Sequence, residues 1–206
     1  MIIAMDGPAA SGKGTLAKKL ASHYGLGHLD TGALYRAVAR DMLASGKALD
    51  DEKAAAQTAR DIDPETLADP GLRTPEIGEA ASRVAKLQGV REALVEYQRA
   101  FAAGPGGAVI EGRDIGTVVC PGADVKIFVE ASTKVRAQRR HKELIEAGHN
   151  ITLEEIHAQI TERDALDRSR DISPLAPAED AHLLDTSDLG IEAAFKAAIK
   201  LIDTAM

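Results

Sequence analysis

The sequence is poor in aromatic side chains and has no excess of basic ones. It contains no Trp, three Tyr and three Phe, and 25 Lys and Arg residues stand against 32 Asp and Glu, so the formal net charge is −7. Proteins that bind single-stranded nucleic acid stack bases on aromatic rings, and proteins that bind duplexes present a broad basic face to the phosphates. We therefore expect no nucleic acid as a partner.

Cysteine and long apolar runs are also scarce. The single Cys120 cannot form a disulfide within the chain, and one cysteine is too few for a structural zinc site of the cysteine-rich kind. No apolar run approaches the roughly 20 residues that a transmembrane helix needs. The first residues, 1–5, form an apolar stretch without a basic leader or a cleavage site. These features favour a cytoplasmic protein that is not inserted in a membrane.

Short apolar runs bounded by turn residues recur along the chain and predict buried strands. They cover residues 2–5, 108–110, 125–129 and 182–184, with a weaker candidate at residues 28–29. Apolar residues at helical spacing lie between these runs, for example at Leu16, Leu20 and Tyr24. Strands that alternate with helices indicate an α/β fold around a mainly parallel sheet.

Two helical segments interrupt this alternation because no strand follows their helices. The first, at about residues 34–101, is rich in Ala and has turn residues at Asp63-Pro64 and Asp69-Pro70-Gly71. In the second, at about residues 141–175, Thr152 and Glu155 have the spacing of a capping box. At 206 residues and 45% hydrophobic composition, the chain predicts one core with mobile flaps and no second independent domain.

A glycine-rich motif directly follows the first predicted strand and precedes a periodic helix. It consists of Gly7, Pro8, Ala9, Ala10, Ser11, Gly12, Lys13, Gly14 and Thr15. This order matches G-x-x-x-x-G-K, in which glycines let backbone N–H groups converge on phosphate oxygens and the lysine adds a full charge. A glycine-rich turn can also be a plain connection, but its place between a strand and a helix indicates a phosphate-binding loop.

The residue after Lys13 departs from the usual motif. Gly14 stands where Ser or Thr is usual, so Mg²⁺ bound with ATP is expected to take its oxygens mainly from phosphates and water, with Thr15 as the candidate protein ligand. No cluster of metal-ligating side chains is predicted. The D-x-x-G and N-K-x-D patterns of guanine-nucleotide switches do not occur, which disfavours a regulatory GTPase.

Several longer stretches resemble the bacterial cytidylate kinases over nearly the whole chain. Besides the glycine-rich motif they are D-T-G-A-L-Y-R at residues 30–36, E-A-A-S at 79–82 with V-R-E-A-L at 90–94, G-R-D-I-G-T-V-V at 112–119, and the run from E-R-D at 162–164 through residue 170. The resemblance implies a three-layer α/β P-loop kinase fold with a mainly parallel five-stranded sheet flanked by helices. It implies one domain, residues 1–206, with a core at about 1–33, 106–140 and 176–206, a helical acceptor-binding region at about 34–105 and a lid at about 141–175.

The resemblance also implies roles for individual residues on the acceptor side. The residues that match those holding the acceptor phosphate are Thr31, Arg36 and Arg113. The residues that match those reading the cytosine are Ser82, Arg91 and Asp114. The residues that match contacts to the sugar hydroxyls and phosphates are Arg163, Asp167 and Arg170. A carboxylate is chemically suited to cytosine, because cytosine offers an amine donor where uracil places a carbonyl oxygen.

On the donor side the resemblance implies contacts between ATP and two arginines. Arg139 and Arg140 match positions that meet the ATP phosphates beside the loop at residues 7–15, whereas Arg136 is predicted to lie on the surface. The residues expected to act directly in phosphoryl transfer are Lys13, Arg113, Arg139 and Arg170.

Each of these residues also has an ordinary structural explanation. Thr31 could cap the following helix, Asp30 could be a turn residue and Ser82 could fill space on an Ala-rich face. Arg113 and Asp114 could form a local ion pair. Two opposite-charge pairs in the last stretch have the i,i+4 spacing common on solvated helices: Arg163 with Asp167, and Asp164 with Arg168.

The chain departs from the family pattern at two places. Bacterial relatives often carry a small antiparallel insertion in the acceptor-binding region, whereas this chain has only residues 62–73 there and is expected to lack that hairpin. Glu111 stands where Asp is expected before G-R-D. The missing hairpin is expected to change how this region closes over a nucleotide. Glu111 is expected to change the position of groups around Mg²⁺.

The activity implied by the resemblance is transfer of the γ-phosphoryl group of ATP, with Mg²⁺ as cofactor, to CMP or dCMP. A monomer is expected, with ATP and CMP or dCMP as its partners. Two alternatives remain at this stage: a P-loop kinase for another small acceptor such as a different nucleoside monophosphate, and an ATP-binding regulatory protein without an acceptor.

Overall fold

The computed structural model describes residues 1–170 and 172–206. The strands in this part of the chain are β1 (Ile2–Asp6), β2 (Gly27–Asp30), β3 (Ala108–Gly112), β4 (Val125–Glu130) and β5 (His182–Asp185). The α-helices are α1 (Lys13–Tyr24), α2 (Thr31–Ala44), α3 (Glu52–Arg60), α4 (Pro75–Val84), α5 (Gln88–Ala102), α6 (Thr133–Glu146), α7 (Leu153–Arg168) and α8 (Ile191–Ala205). None of these helices combines the length and apolar character that crossing a membrane requires.

The five strands form one sheet in the order β2-β3-β1-β4-β5. β1 pairs in parallel with β3, where Asp6 lies opposite Gly112, and with β4, where Asp6 lies opposite Phe128. The predicted α/β fold with a five-stranded parallel sheet and flanking helices is confirmed, and each predicted strand is present, including the weak candidate that became β2. Because parallel strands end at a common edge, the loops after β1 and β3 begin side by side.

The chain divides into two compact units, of which the first comprises residues 1–28 and 105–206. Its main core is formed by strand residues such as Met5 and Ile127 together with Leu16, Leu20 and Ile202 from α1 and α8. A central parallel strand is covered on both faces, which is why residues 2–5 of β1 and 127–129 of β4 are apolar in succession and do not alternate. The core therefore holds the carboxyl end of β1, where the glycine-rich loop begins.

A smaller core in the same unit joins α6 to α7. Ala137, Leu144, Ile156 and Ile160 are buried against one another. The predicted capping box is confirmed, because the side chain of Thr152 accepts from the backbone N–H of Glu155 while the Glu155 carboxylate accepts from the backbone N–H of Thr152. The lid expected at residues 141–175 covers the end of α6 and all of α7, and its residue 171 lies outside the described residues. The assignment of a lid stays a prediction.

The second unit, residues 29–104, is helical. The acceptor-binding region expected at 34–105 stays a prediction. α2 packs on α3 and α4, and α3 packs on α5. Small buried residues such as Ala55 and Ala81 let these helices approach closely around Leu34 and Met42. Residues 62–73, all of them described, contain two short 3-10 helices, Pro64–Ala68 and Pro70–Arg73, and no strand. The expected absence of the hairpin is therefore observed.

Candidate active site

The glycine-rich loop connects the end of β1 to the N-terminus of α1. Gly12 precedes the helix in a left-handed conformation, and no side chain caps the first turn of α1. The hydroxyl Oγ of Ser11 is buried and has no hydrogen-bond partner among the described residues. Uncapped N–H groups and the partial positive charge of the helix N-terminus suit an anion such as phosphate.

Lys13 lies at the start of α1 beside a buried carboxylate. Its Nζ is 3.8 Å from Oε2 of Glu111, and Oε1 of Glu111 is 3.0 Å from Nε2 of His28. A Cβ added at Gly14 would lie 3.2 Å from Oε1 and 3.3 Å from Oε2 of the same carboxylate. The two departures from the usual motifs therefore meet in space: the glutamate at position 111 occupies the room beside the backbone of residue 14.

Asp6 is a second buried carboxylate, at the end of β1. Its two oxygens accept hydrogen bonds of 2.8 Å from the backbone N–H groups of Ile115 and Gly116. Burial raises the pKa of Asp6 to about 6; the two backbone hydrogen bonds lower it, the negative charge of Asp114 raises it and the positive charge of Lys13 lowers it. Asp6 thus lies close enough to interact electrostatically with Lys13, which is expected to bind ATP, and with Asp114, which is expected to contact cytosine.

Asp167 on α7 gathers several arginines around one carboxylate. Arg113 Nε donates to its Oδ2 at 3.0 Å and Arg170 Nη2 to its Oδ1 at 2.5 Å. Burial on its own raises the pKa of Asp167, but the positive charges of Arg113, Arg170 and Arg163 outweigh it and hold that pKa below its usual value. The Nε of Arg170 is buried without a hydrogen-bond partner among the described residues. Three guanidinium groups around one carboxylate leave a positive site that suits a phosphate.

The ordinary explanations for this stretch are wrong. Asp164 and Asp167 are buried, with 7% and 1% of their surface exposed, so these two carboxylates do not lie on a solvated helix face. Asp167 pairs with Arg113 and Arg170, and Asp164 pairs with Arg136.

Arg136 is not on the surface, which corrects the sequence-based prediction. Only 2% of its surface is exposed, and its Nη1 and Nη2 donate to the two oxygens of Asp164 at 3.0 and 2.5 Å. Its Nε donates to the carbonyl oxygen of Ala131, and its Nη1 also to the carbonyl oxygen of Ala9 in the glycine-rich loop. Arg136 therefore connects α7 to that loop, because its guanidinium binds both at once.

The two arginines expected to meet ATP lie on the following turn of α6. Arg139 Nη1 donates to the carbonyl oxygen of Ser11 at 3.2 Å and to Oγ1 of Thr186 at 3.1 Å, so its guanidinium lies beside the glycine-rich loop. Arg140 is partly exposed and pairs with Glu143 at 3.1 Å. The structure places the guanidinium of Arg139 beside the loop.

The second unit holds the other expected acceptor residues. Asp30 caps α2 by accepting from the N–H of Ala33, so Thr31 is the first helical residue and not the cap. Arg36 Nη2 donates to Oδ2 of Asp30 at 2.8 Å, while its Nε is buried without a hydrogen-bond partner among the described residues. On α4 and α5, the hydroxyl of Ser82 donates to the carbonyl of its own helix four residues earlier, and Arg91 is buried with 6% exposure.

Three of these buried charged groups were missed from the sequence. Asp6, Arg136 and Asp164 each bind a partner more than twenty residues away, so no local spacing points to them. The position of Asp6 was the one available hint, since it directly precedes the glycine-rich loop at the end of a central parallel strand. Among the described residues there is no group of three or more His, Cys, Asp or Glu that could hold a metal ion.

Solved structures with the same architecture include two that cover nearly the whole chain. One is described as a sugar kinase from Janibacter sp. HTCC2649, with a TM-score of 0.52 at 17% identity over 98% of this chain and 93% of that one. The other is an uncharacterized protein from Eubacterium ventriosum, with a TM-score of 0.55 at 15% identity over 99% of both chains. At such identities the likeness is one of fold. Together, this fold and the glycine-rich loop with its lysine are typical of P-loop proteins.

The family model described as Cytidylate kinase matches residues 3–204. Proteins described as cytidylate kinase include one from Xanthobacter autotrophicus, 57% identical over 203 residues that make up 98% of this chain and 97% of that protein. Another, from Azorhizobium caulinodans, is 58% identical over 205 residues, which cover 100% of this chain and 99% of that protein. The chain belongs to the cytidylate kinase family, and it is a phosphotransferase. The resemblance stated from the sequence motifs is confirmed.

Proposed function

We propose that the chain transfers the γ-phosphoryl group of ATP to CMP or dCMP, which yields CDP or dCDP and ADP. The observation that carries this proposal is the surroundings of Asp6, whose charged neighbours include both Lys13 of the phosphate loop and Asp114 of the G-R-D stretch. A kinase needs its donor and acceptor groups in one place, and these two belong to the same compact unit.

The donor side is proposed to be the loop at residues 7–15. Its backbone N–H groups and the N-terminus of α1 would bind the phosphates of ATP, and Lys13 would neutralise charge on the transferred group. The Nζ of Lys13 lies 3.8 Å from the carboxylate of Glu111. A bound triphosphate carries more negative charge than this carboxylate and would attract Lys13 away from it. We place Arg139 and Arg140 at the ATP phosphates as well, with Arg139 already beside the carbonyl of Ser11.

The acceptor residues proposed are those that match the family pattern. In the first unit, Arg113 and Arg170 would bind the acceptor phosphate or the transferred group, while Asp167 and Arg163 would contact the sugar. The pairing of Asp167 with Arg113 and Arg170 supports this because it holds both guanidinium groups ready at one carboxylate. The residues proposed from the second unit are Thr31, Arg36, Ser82 and Arg91.

Asp114 is proposed to select cytosine. It is buried with 6% exposure, so water screens its charge little. A buried carboxylate accepts a hydrogen bond from the exocyclic amine of cytosine and repels the carbonyl oxygen that uracil has at that position. Sites that match a hydrogen-bonding group in this way discriminate steeply, because the wrong ligand leaves a buried polar group unpaired.

The metal cofactor proposed is Mg²⁺ bound together with ATP. The carboxylates of Asp6 and Glu111 already bind protein donors, and the candidate protein ligand in the loop is the hydroxyl of Thr15, which is exposed. This donor set fits an ion that takes most of its oxygens from phosphates and water. When bound, the ion would neutralise charge on the β- and γ-phosphates.

The transfer itself needs no covalent intermediate and no general base. The attacking oxygen belongs to a phosphate that is already anionic, so the protein must align two phosphates in line, compensate their charge and exclude water. Lys13 and the arginines do the first two tasks in this proposal, and closure of the segment around α7 does the third. We also propose that the enzyme works in the cytoplasm as a monomer.

ADP release coupled to a panel of acceptors tests the proposal. With CMP, dCMP, UMP, AMP and GMP offered in turn, we expect release with CMP and dCMP. A preference for a different monophosphate would make the chain a kinase for another acceptor. ATP binding without release for any acceptor would make it an ATP-binding regulatory protein.

A matched pair of arginine variants tests the site. Arg113→Ala should lower kcat at saturating ATP and CMP by at least about 100-fold, because a charge that stabilises the transferred group is lost. Arg168→Ala removes an exposed arginine from the same charged run and should leave kcat unchanged. Normal turnover in Arg113→Ala would contradict the role of Arg113.

A further inference from the structure

Asp6 joins two stretches that lie far apart in the sequence. It ends β1 and is followed directly by Gly7, and its Oδ1 and Oδ2 accept from the N–H groups of Ile115 and Gly116 at 2.8 Å each. These two N–H groups open a π-helical turn, Ile115–Val119, which begins directly after Asp114. A side chain at the start of the phosphate loop therefore fixes the backbone that follows the G-R-D stretch.

The contact is close and leaves little room for a side chain at the turn. A Cβ added at Gly116 would lie 3.1 Å from Cδ of Lys126 and 3.4 Å from Oδ2 of Asp6. A side chain at this position would therefore press on the stem of Lys126 beside the carboxylate. The backbone of Asp114 has φ −144° and ψ 27°, and the two hydrogen bonds to the following residues hold it there.

Burying the carboxylate of Asp6 costs free energy, which a purely structural connection would not require. Only 5% of Asp6 is exposed, and burial disfavours its ionised form. Asp114 lies close enough to add repulsion. In return, two acceptor oxygens on one rigid group set both the position and the orientation of the turn, which a single hydrogen bond does not do.

We propose that Asp6 is a positioning residue for the acceptor: it touches neither nucleotide, but holds Arg113 and Asp114 where they bind and select CMP. This inference rests on the proposed function, since it takes from it the roles of Arg113 and Asp114. It predicts that loss of Asp6 damages CMP binding and pyrimidine selectivity more than ATP binding.

Asp6→Asn is the first test, because its amide keeps the size of the carboxylate but offers one acceptor oxygen for two N–H groups. We expect the KM for CMP to rise between about 10- and 100-fold, as displaced groups in active sites commonly cause. The ratio of kcat/KM for CMP to that for UMP should fall, and the Kd for ATP should stay within about twofold, because the groups that bind ATP are unchanged.

Asp124→Asn is the matched control. Asp124 also accepts a backbone hydrogen bond from β1, from the N–H of Ile2 at 2.6 Å, but at the opposite end of the strand. It should leave the KM for CMP and the selectivity unchanged. If the role of Asp6 were purely structural, Asp6→Asn would reduce the amount of active enzyme and the melting temperature without a selective change in KM.

Gly116→Ala approaches the same contact from the turn and remains informative if Asp6→Asn does not fold. Its methyl group would lie 3.1 Å from the stem of Lys126 and 3.4 Å from Oδ2 of Asp6, so the variant should fold with a small displacement of the turn. We expect a smaller rise in KM for CMP in the same direction, with ATP binding retained. Unchanged KM and selectivity in either folded variant would overturn the inference. The absence of CMP-dependent ADP release in the wild type would instead overturn the proposed function.

Discussion

Replacement of Arg136 by Met tests whether a buried ion pair holds α7 against α6. The side chains of Arg136 and Asp164 are 3% and 10% exposed, and two hydrogen bonds of 3.0 and 2.5 Å join them. Met keeps the apolar stem of Arg but leaves the carboxylate of Asp164 buried without its charge partner. Breaking a buried pair in this way lowers the free energy of unfolding by about 3–5 kcal/mol.

The loss should be specific to the pair. In the double variant Arg136→Met with Asp164→Leu, no charge is left unpaired, and most of the lost stability should return because apolar pairs replace buried ion pairs at little cost. Lys142→Met is the control on the same helix: Lys142 is 78% exposed and lies 3.8 Å from Glu146. Exposed pairs of this kind contribute less than about 1 kcal/mol.

Urea unfolding followed by far-ultraviolet circular dichroism measures these differences, since the chain has no Trp for fluorescence. A loss below about 1 kcal/mol in Arg136→Met would refute the reasoning, because an unpaired buried carboxylate costs more than that. A double variant as unstable as the single one would also refute it. In that case the lost contacts of Arg136 to Ala131 and Ala9, not the ion pair, would account for the effect.

Three further predictions concern buried groups around the loop. The pKa of Asp6 is raised to about 6, so the folded state keeps this proton longer than the unfolded state. The free energy of unfolding of the wild type relative to Asp6→Asn should therefore fall by about 2.4 kcal/mol from pH 4 to pH 7, and a rise would contradict the assignment. The pKa of Asp167 is lowered, so its ionised form stabilises the folded state and the pH dependence has the opposite sign. Asp167→Asn should therefore lower the free energy of unfolding by about 2–3 kcal/mol at pH 7. This loss should become smaller as the pH falls below about 4. His28→Leu removes the partner of Glu111 and should cost about 1–3 kcal/mol, whereas His28→Gln keeps a donor and should cost less; equal losses in urea midpoints would show that the hydrogen bond is unimportant.

Much of the fold was readable from the sequence because its causes are local. The apolar runs, the helical spacing, and the capping box of Thr152 and Glu155 depend on residues a few positions apart, and each appears in the structure where it was expected. The glycine-rich motif is equally local, since one strand, one turn and one helix N-terminus build it. The family could be recognised for the same reason, from short stretches with specific residue order.

The tertiary structure alone decided which charged residues are buried and with what partners. Asp164 and Asp167 have neighbours at helical spacing that look like ordinary surface pairs, yet α7 turns both carboxylates inward to Arg136 and Arg113. Asp6 likewise meets its two N–H donors more than a hundred residues further along the chain. Helical and strand spacing determine which residues share a face, but which face is covered depends on the packing of distant elements, and that packing sets the desolvation, pairing and pKa of each charged group.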